Sequence, residues 1–163
     1  MPGASQRYLA GVGRYTYTIE VEAPRELVFE LWTDLELMQT WVGGVTKVSK
    51  PTGPIDQPGT TYAIYFGRFA SETTILEVER PRLYATKSGT FWMQLTNRAT
   101  FEDGGRDGAT TRITQTFDVH GSLLSRTFGW IFGHGSYRGS FLGELRHFGR
   151  IAEARATRQH LAR

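Results

Sequence analysis

The stretch Tyr15-Thr16-Tyr17-Thr18-Ile19-Glu20-Val21-Glu22-Ala23-Pro24, running directly into Arg25-Glu26-Leu27-Val28-Phe29-Glu30-Leu31-Trp32-Thr33-Asp34, decides how the rest of the chain is read. Tyr15, Tyr17, Ile19 and Val21 share one parity and Thr16, Thr18, Glu20 and Glu22 the other, the pattern of a strand with one buried face. Pro24 suits the first turn of a helix, and Leu27, Val28, Leu31 and Trp32 then recur at three- and four-residue spacing. A strand hands over to a helix within two residues. Alternation returns over Val45 to Lys50, Thr60 to Phe66, Ala70 to Glu79, Arg82 to Lys87, Thr90 to Glu102 and Thr110 to Val119, and a helical pattern from about Tyr137 to Arg158 closes the series. Seven strands, an early helical insert and a late long helix give an α+β order rather than a βαβ repeat, with the last helix laid across a curved sheet.

The chain of 163 residues suits one domain and can bury roughly 70% of the surface its unfolded form exposes. Residues 1–12 read as a flexible segment, 13–158 as a single domain and 159–163 as a tail. Cysteine is absent, which removes disulfides, thiol nucleophiles and thiolate metal sites and makes the cytoplasm the expected address. The first dozen residues lack the apolar run of a signal peptide, and no membrane span is expected. A formal charge of +3 does not by itself point to nucleic acid, because Arg155, Arg158 and Arg163 suit the C-terminal end of a helix. Among the 19 glycines, those in Asp103-Gly104-Gly105-Arg106-Asp107-Gly108 mark a hairpin loop, and Lys50 to Gly59 is a longer connection.

Parity singles out polar residues on apolar faces. Phe91, Met93, Leu95, Ala99 and Phe101 share a face with Asn97, and Ile113, Phe117 and Val119 share one with Gln115. Leu76 and Val78 set an inner parity that, extended backwards, turns Thr74 and Glu72 inward, unless a bulge reverses it. Such groups need partners, so Asn97, Gln115 and Glu72 indicate either a wet, polar-dotted cavity or ordinary side-chain pairing.

In the closing helix Phe141, Leu145, Phe148 and Ala152 or Ile151 form the apolar stripe, while Gly139 and Gly143 lie one turn apart where glycine costs about 1 kcal/mol relative to alanine. Either the helix approaches the sheet closely there or the missing side chains leave room for a ligand. Phe128-Gly129-Trp130-Ile131-Phe132-Gly133-His134-Gly135 suits a lid at a cavity mouth, a loop folded on the core, or the contact surface of a homodimer.

Ala23 to Asp34 followed by Trp41-Val42-Gly43-Gly44 resembles the opening of the START-like, or SRPBCC, superfamily, especially its branch similar to activators of the heat-shock chaperone ATPase and to polyketide cyclases. Glu77-Val78-Glu79-Arg80-Pro81-Arg82-Leu83 is similar to that branch's strand and proline turn, and Ala99 to Gly104 with Thr110 to Thr114 to its late hairpin. The resemblance spans about Tyr15 to Ala156. It implies a helix-grip fold: a seven-stranded antiparallel sheet wrapped around a long C-terminal helix, with two short helices after the first strand and a hydrophobic cavity within. It also implies lipid, steroid, polyketide or plant-metabolite ligands, with cyclisation or dehydration of polyketides in some members.

His120, His134, His147 and His160 show no metal-ligand spacing, so no metal and no cofactor is expected, and the serines sit in no nucleophile-elbow context. Acid-base chemistry in a dry cavity is one reading, with Glu72, Tyr62, Arg68 and His134 as catalytic candidates and Tyr17 as a further donor. The other is binding of a small hydrophobic or aromatic ligand for carriage, sensing or self-resistance by sequestration, with Trp41, Tyr62, Phe66, Phe91, Met93, Asn97, Gln115, Phe117, Gly139 and Gly143 lining the site. Binding is the expected function, and polyketide cyclase or dehydratase activity the alternative. Chaperone stimulation ranks last, since no additional N-terminal module like that of the eukaryotic activators is seen.

Overall fold

The computed structural model describes residues 12–89, 93–105, 108–121 and 136–162. Strand β1 covers Val12–Val21, helix α1 Arg25–Trp32 and helix α2 Leu35–Trp41. Six strands follow: β2 Lys47–Val48, β3 Thr61–Phe66, β4 Phe69–Glu79, β5 Leu83–Gly89, β6 Met93–Gly104 and β7 Thr110–Gly121. Helix α3 spans Ser136–Leu161. The strands form one antiparallel sheet in the order β1-β7-β6-β5-β4-β3-β2. This is the helix-grip arrangement.

Local chemistry fixes the junctions. Pro24 caps α1 in an extended conformation (φ −61°, ψ 144°), and its carbonyl accepts from Val28 N at 3.0 Å, so the residue that cannot continue a strand ladder opens the helix. Asp34 Oδ1 accepts from Glu36 N and Leu37 N, each at 3.0 Å, which starts α2 one residue after α1 turns off at Thr33. The run expected over Val45 to Lys50 contracts to Lys47–Val48. Beyond Val48, Ser49 Oγ accepts from Ala63 N at 2.8 Å, a position where a ladder carbonyl would otherwise bond.

The core lies between the concave face of the sheet and α1, α2 and α3. Trp32 meets Phe148 at 5.0 Å and Phe101 at 5.5 Å between ring centres, both edge to face, and Phe29 meets Phe101 in the same way at 5.5 Å. The apolar stripe of α3 is seated through Leu145, Phe148 and Ala152, all fully buried. Gly149 brings the helix axis close to β1, since a Cβ there would sit 3.2 Å from Ile19 Cδ1 and 3.3 Å from Val21 Cγ2. Close approach therefore occurs at Gly149. At Gly143 an added Cβ would meet nothing within 4 Å.

The inward placement of Glu72 is corrected. A bulge between Ile75 and Glu77 inserts Leu76 as an unpaired residue on β4. Val78 keeps its inner side, but upstream of the bulge the parity reverses, so Thr73 and Ile75 are buried while Glu72 is exposed and Leu76 stands 44% exposed.

Candidate functional site

Register across the sheet assembles polar groups that no single strand displays. On the concave face Tyr17 of β1 lies opposite Gln115 of β7, and Asn97 of β6 lies opposite Phe117 of β7 and Thr86 of β5. Ser88 of β5 lies opposite Thr73 of β4, which in turn faces Tyr62 of β3. A polar seam thus crosses the sheet from β1 to β3 through an otherwise apolar surface.

Two side-chain hydrogen bonds span neighbouring strands within the seam. Gln115 Nε2 donates to Asn97 Oδ1 at 3.2 Å, and the hydroxyls of Thr73 and Ser88 share a 2.8 Å bond. Gln115 is 4% exposed, so an unpaired amide there would cost on the order of 1 to 3 kcal/mol. The bond uses one donor of Gln115 and engages the Asn97 carbonyl, while the Asn97 amide hydrogens and the Gln115 carbonyl take no part in it. Aromatic rings flank this pair: Phe117 stacks on Phe141 of α3 at 4.2 Å, and Tyr17 approaches both at 6.3 and 6.5 Å.

At the β3 end of the seam two phenols are buried together, Tyr62 and Tyr84, each 4% exposed. Tyr84 donates to the carbonyl of Ile55 at 3.3 Å. Desolvation pushes Tyr62 up to about 12, with a smaller opposing effect from the Tyr84 hydroxyl. Tyr84 is pushed up further, first by desolvation and then by its Tyr62 neighbour. Both phenols are neutral hydrogen-bond donors at physiological pH.

The candidates from sequence divide cleanly. Tyr62, Gln115, Phe117 and Trp41 are buried and Asn97 is half-buried, all on the core side. Phe66 shares the parity of Tyr62 but sits at the strand end beside the Gly67-Arg68 turn and is 39% exposed. Arg68 is exposed in that turn, and Gly143 is exposed on α3. Met93 and Gly139 are placed by backbone alone, in β6 and α3. Phe91, His134 and the Phe128 to Phe132 segment lie outside the described residues. Thr73, Thr86, Ser88 and Tyr84 join the seam unanticipated; the even spacing of Tyr84, Thr86 and Ser88 was the available signal.

Besides the buried tyrosines and tryptophans, the buried polar side chains among the described residues are Thr60, Thr73, Thr86, Thr111 and Gln115, and no cluster of three or more His, Asp and Glu there could hold a metal ion. The described part of the concave face thus offers hydroxyl and amide hydrogen bonding within an aromatic wall. Trp41 adds one more donor. It is 7% exposed, packed at 5.1 Å on both Trp32 and Phe148, and its Nε1 makes no hydrogen bond among the described residues.

A separate groove of about 380 Å³ is lined by Arg25, Glu79, Arg82, Leu83, Thr100, Phe101, Glu102 and Asp103. It opens by the N-terminus of α1, where Arg25 pairs with Asp103 at 3.2 Å, at the far end of the sheet from the β3–β4 turn. Its charged, open lining differs in kind from the seam. No helix among the described residues is long and apolar enough to cross a membrane.

Several solved structures share this fold. Truncated norcoclaurine synthase from Thalictrum flavum superposes with a TM-score of 0.64 at 12% identity, covering 86% of this chain and 92% of that one. Ara h 8.0201 gives 0.64 at 12% identity over 88% of this chain and 99% of that one. The di-domain ARO/CYC BexL from the BE-7585A biosynthetic pathway gives 0.64 at 16% identity, over 90% of this chain and 50% of the two-domain protein. At such identities the likeness establishes the fold alone. No curated protein matches the chain. The family model for polyketide cyclase / dehydrase and lipid transport matches residues 13–147, from the first strand into the closing helix, and the chain belongs to that family.

Proposed function

We propose that the chain binds a small hydrophobic or aromatic metabolite, polyketide- or lipid-like, between the concave face of the sheet and α3, for carriage, sensing or protective sequestration. The observation that carries this reading is the part-buried Gln115–Asn97 amide bridge, set beside Tyr17, Phe117 and Phe141. A wall of rings supplies apolar area, and two amides with spare donor and acceptor capacity orient whatever lies against it. Membership of a family described by cyclase, dehydrase and lipid-transport members agrees with such a ligand.

Cyclase or dehydratase chemistry is the second reading, favoured by the Tyr62 phenol, which burial keeps protonated and able to donate to a developing oxyanion. Native mass spectrometry of protein from its own source, followed by denaturing extraction, separates the two. An unmodified metabolite in one-to-one complex, displaced on Gln115→Leu substitution, is the expected result. A candidate substrate released in cyclised or dehydrated form assigns the second reading. A protein that is empty and binds no aromatic probe refutes both.

A further inference from the structure

We propose that the tip of the β3–β4 hairpin docks the protein peripherally on an anionic lipid bilayer, with Phe66 and Phe69 entering the headgroup region and Lys47 and Arg68 meeting the lipid anions. The inference goes beyond the ligand reading above and does not depend on it. Among the described residues the exposed large hydrophobic side chains are Phe66, Phe69, Leu76 and Leu161. Leu76 and Leu161 stand apart, one at the β4 bulge and one at the end of α3, as single exposed apolar residues commonly do. Phe66 and Phe69 instead pair directly across the turn, at 39% and 76% exposure. The turn is the two-residue loop Gly67-Arg68, with Gly67 at φ +62° and no positive φ at Arg68, the type II′ geometry that favours glycine at its first position. It holds the two rings opposite each other at the tip. Pairing continues inward through Ile64 and Ser71 to the buried Tyr62 and Thr73, so the rings stand at the rim of the concave face. Phe66 is braced by the α2–β2 connection, where a Cβ on Gly44 would lie 3.6 Å from its Cδ1, whereas Phe69 is the more exposed of the two.

The charges beside these rings select the partner. Between Glu36 and Glu72 the chain carries Lys47, Lys50 and Arg68 against a single acid, Asp56, which lies 3.8 Å from Arg80 at the other end of β4. Lys47 and Arg68 are exposed, and among the described residues neither makes an ion pair. Lys47 Nζ stands 5.7 Å from the ring of Tyr65, its partner across β2 and β3. Glu144 of α3 is the acid that reaches toward this end, where it accepts from Gly43 N at 2.9 Å. Two cations and three rings thus share one hairpin end. A stable protein interface buries about 800 Å² on each side, more than a two-residue turn and its flanking rings present. A bilayer needs no matching surface: rings at the boundary of headgroups and acyl chains, with cations among anionic headgroups, give weak and reversible attachment. Tyr65, with an apolar ring and a polar tip, suits the same interfacial level. Docked in this way, the rim of the concave face lies against lipid.

Co-sedimentation of the full chain with vesicles of phosphatidylcholine containing about 30 mol% phosphatidylserine, and with phosphatidylcholine alone, tests this. The expected result is binding to the anionic vesicles at about 50 mM NaCl, about tenfold weaker binding to the neutral ones, and loss of the difference at about 500 mM NaCl. Phe69→Ser removes one inserted ring and lowers the partition coefficient about tenfold. Arg68→Glu reverses one charge and lowers it about twentyfold. Leu161→Ser, which removes an exposed apolar side chain at the far end of α3, leaves it unchanged. Phe66 is left in place, and both tip substitutions fall on exposed side chains, so thermal melts of the variants match the wild type. Phe69→Trp adds a direct readout: its emission is quenched by phosphatidylcholine brominated on the acyl chains, beyond the quenching of the native tryptophans. Absence of sedimentation with anionic vesicles, or binding that survives both Phe69→Ser and Arg68→Glu, overturns the inference. So does a dimer in light scattering that Phe69→Ser disperses, which assigns the tip to a second copy of the chain. Each of these results leaves the ligand reading to its own test, retention of a metabolite.

Discussion

Replacing Tyr62 with phenylalanine isolates the phenol that burial pushes up to about 12. Tyr62 is 4% exposed, so ionising it in the folded protein places a charge in a low-dielectric interior, and the adjacent Tyr84 hydroxyl offsets only part of that cost. In the unfolded chain the same phenol ionises at its ordinary value of 10. Its contribution to stability is therefore complete below pH 10. Between pH 10 and about 12 the unfolded state gives up the proton while the folded state keeps it, and stability falls as pH rises. Linkage across that gap amounts to a loss of about 2 kcal/mol by pH 12. Tyr84 is pushed up as well, mainly by desolvation and further by Tyr62, so it steepens both curves through this window, and its relief in the variant adds to the shift in the variant's favour. Urea unfolding of wild type and Tyr62→Phe, followed by tryptophan fluorescence in steps from about pH 8 to pH 12, reads that difference directly. A constant offset up to about pH 9.5, then a shift of about 2 kcal/mol in favour of the variant, is expected. Parallel curves to pH 12 would refute the burial argument for Tyr62.

The glycines of α3 should part company on substitution. Gly143→Ala, with nothing within 4 Å of the new Cβ, gains about 1 kcal/mol of helix propensity and raises Tm by about 2–4 °C in a thermal melt. Gly149→Ala gains the same propensity but pushes against Ile19 and Val21, so it ends neutral or destabilised by up to about 2 kcal/mol; equal stabilisation at both positions would contradict the close approach to β1. Thr111→Val keeps the side-chain shape but removes the 2.6 Å bond to the buried Ala23 carbonyl, and costs about 1–3 kcal/mol in denaturant titration. An unchanged midpoint would mean that this carbonyl finds water instead.

Much of the fold was legible because its signals are local. The alternation ending at Pro24, the hairpin glycines and the periodicity of α3 each depend on a few neighbours in sequence, and they locate the seven strands, α1 and α3 to within a few residues, whereas α2 entered only as one of the two short helices that the resemblance implies. Asn97 and Gln115 were legible for the same reason, as polar exceptions on apolar parities. What stayed hidden depends on the third dimension. Register alone brings Thr73 against Ser88 and Tyr62, and no property of β3, β4 or β5 taken singly states that alignment. The glycine that seats α3 is Gly149 rather than Gly143, because β1 passes beneath one and not the other. Glu72 was misplaced by counting through an irregularity whose position its own strand does not announce.

That irregularity also shapes how this sheet can be compared with others and how it can diverge. The extra residue at Leu76 works as a phase shifter between two halves of one strand: the half nearest β5's beginning keeps its ladder, while the half running to the Gly67-Arg68 turn presents the alternate series of side chains. A relative with one residue fewer at this point would pair without the bulge and keep the equivalents of Ile75 and Thr73 opposite Thr86 and Ser88. A single-codon deletion at Leu76 can therefore close the bulge while the same hydroxyl stays on the concave face and every other strand retains its pairing. Aligning family members across β4 requires a one-residue gap wherever the bulge is absent, or roles will be transferred to the wrong side of the sheet.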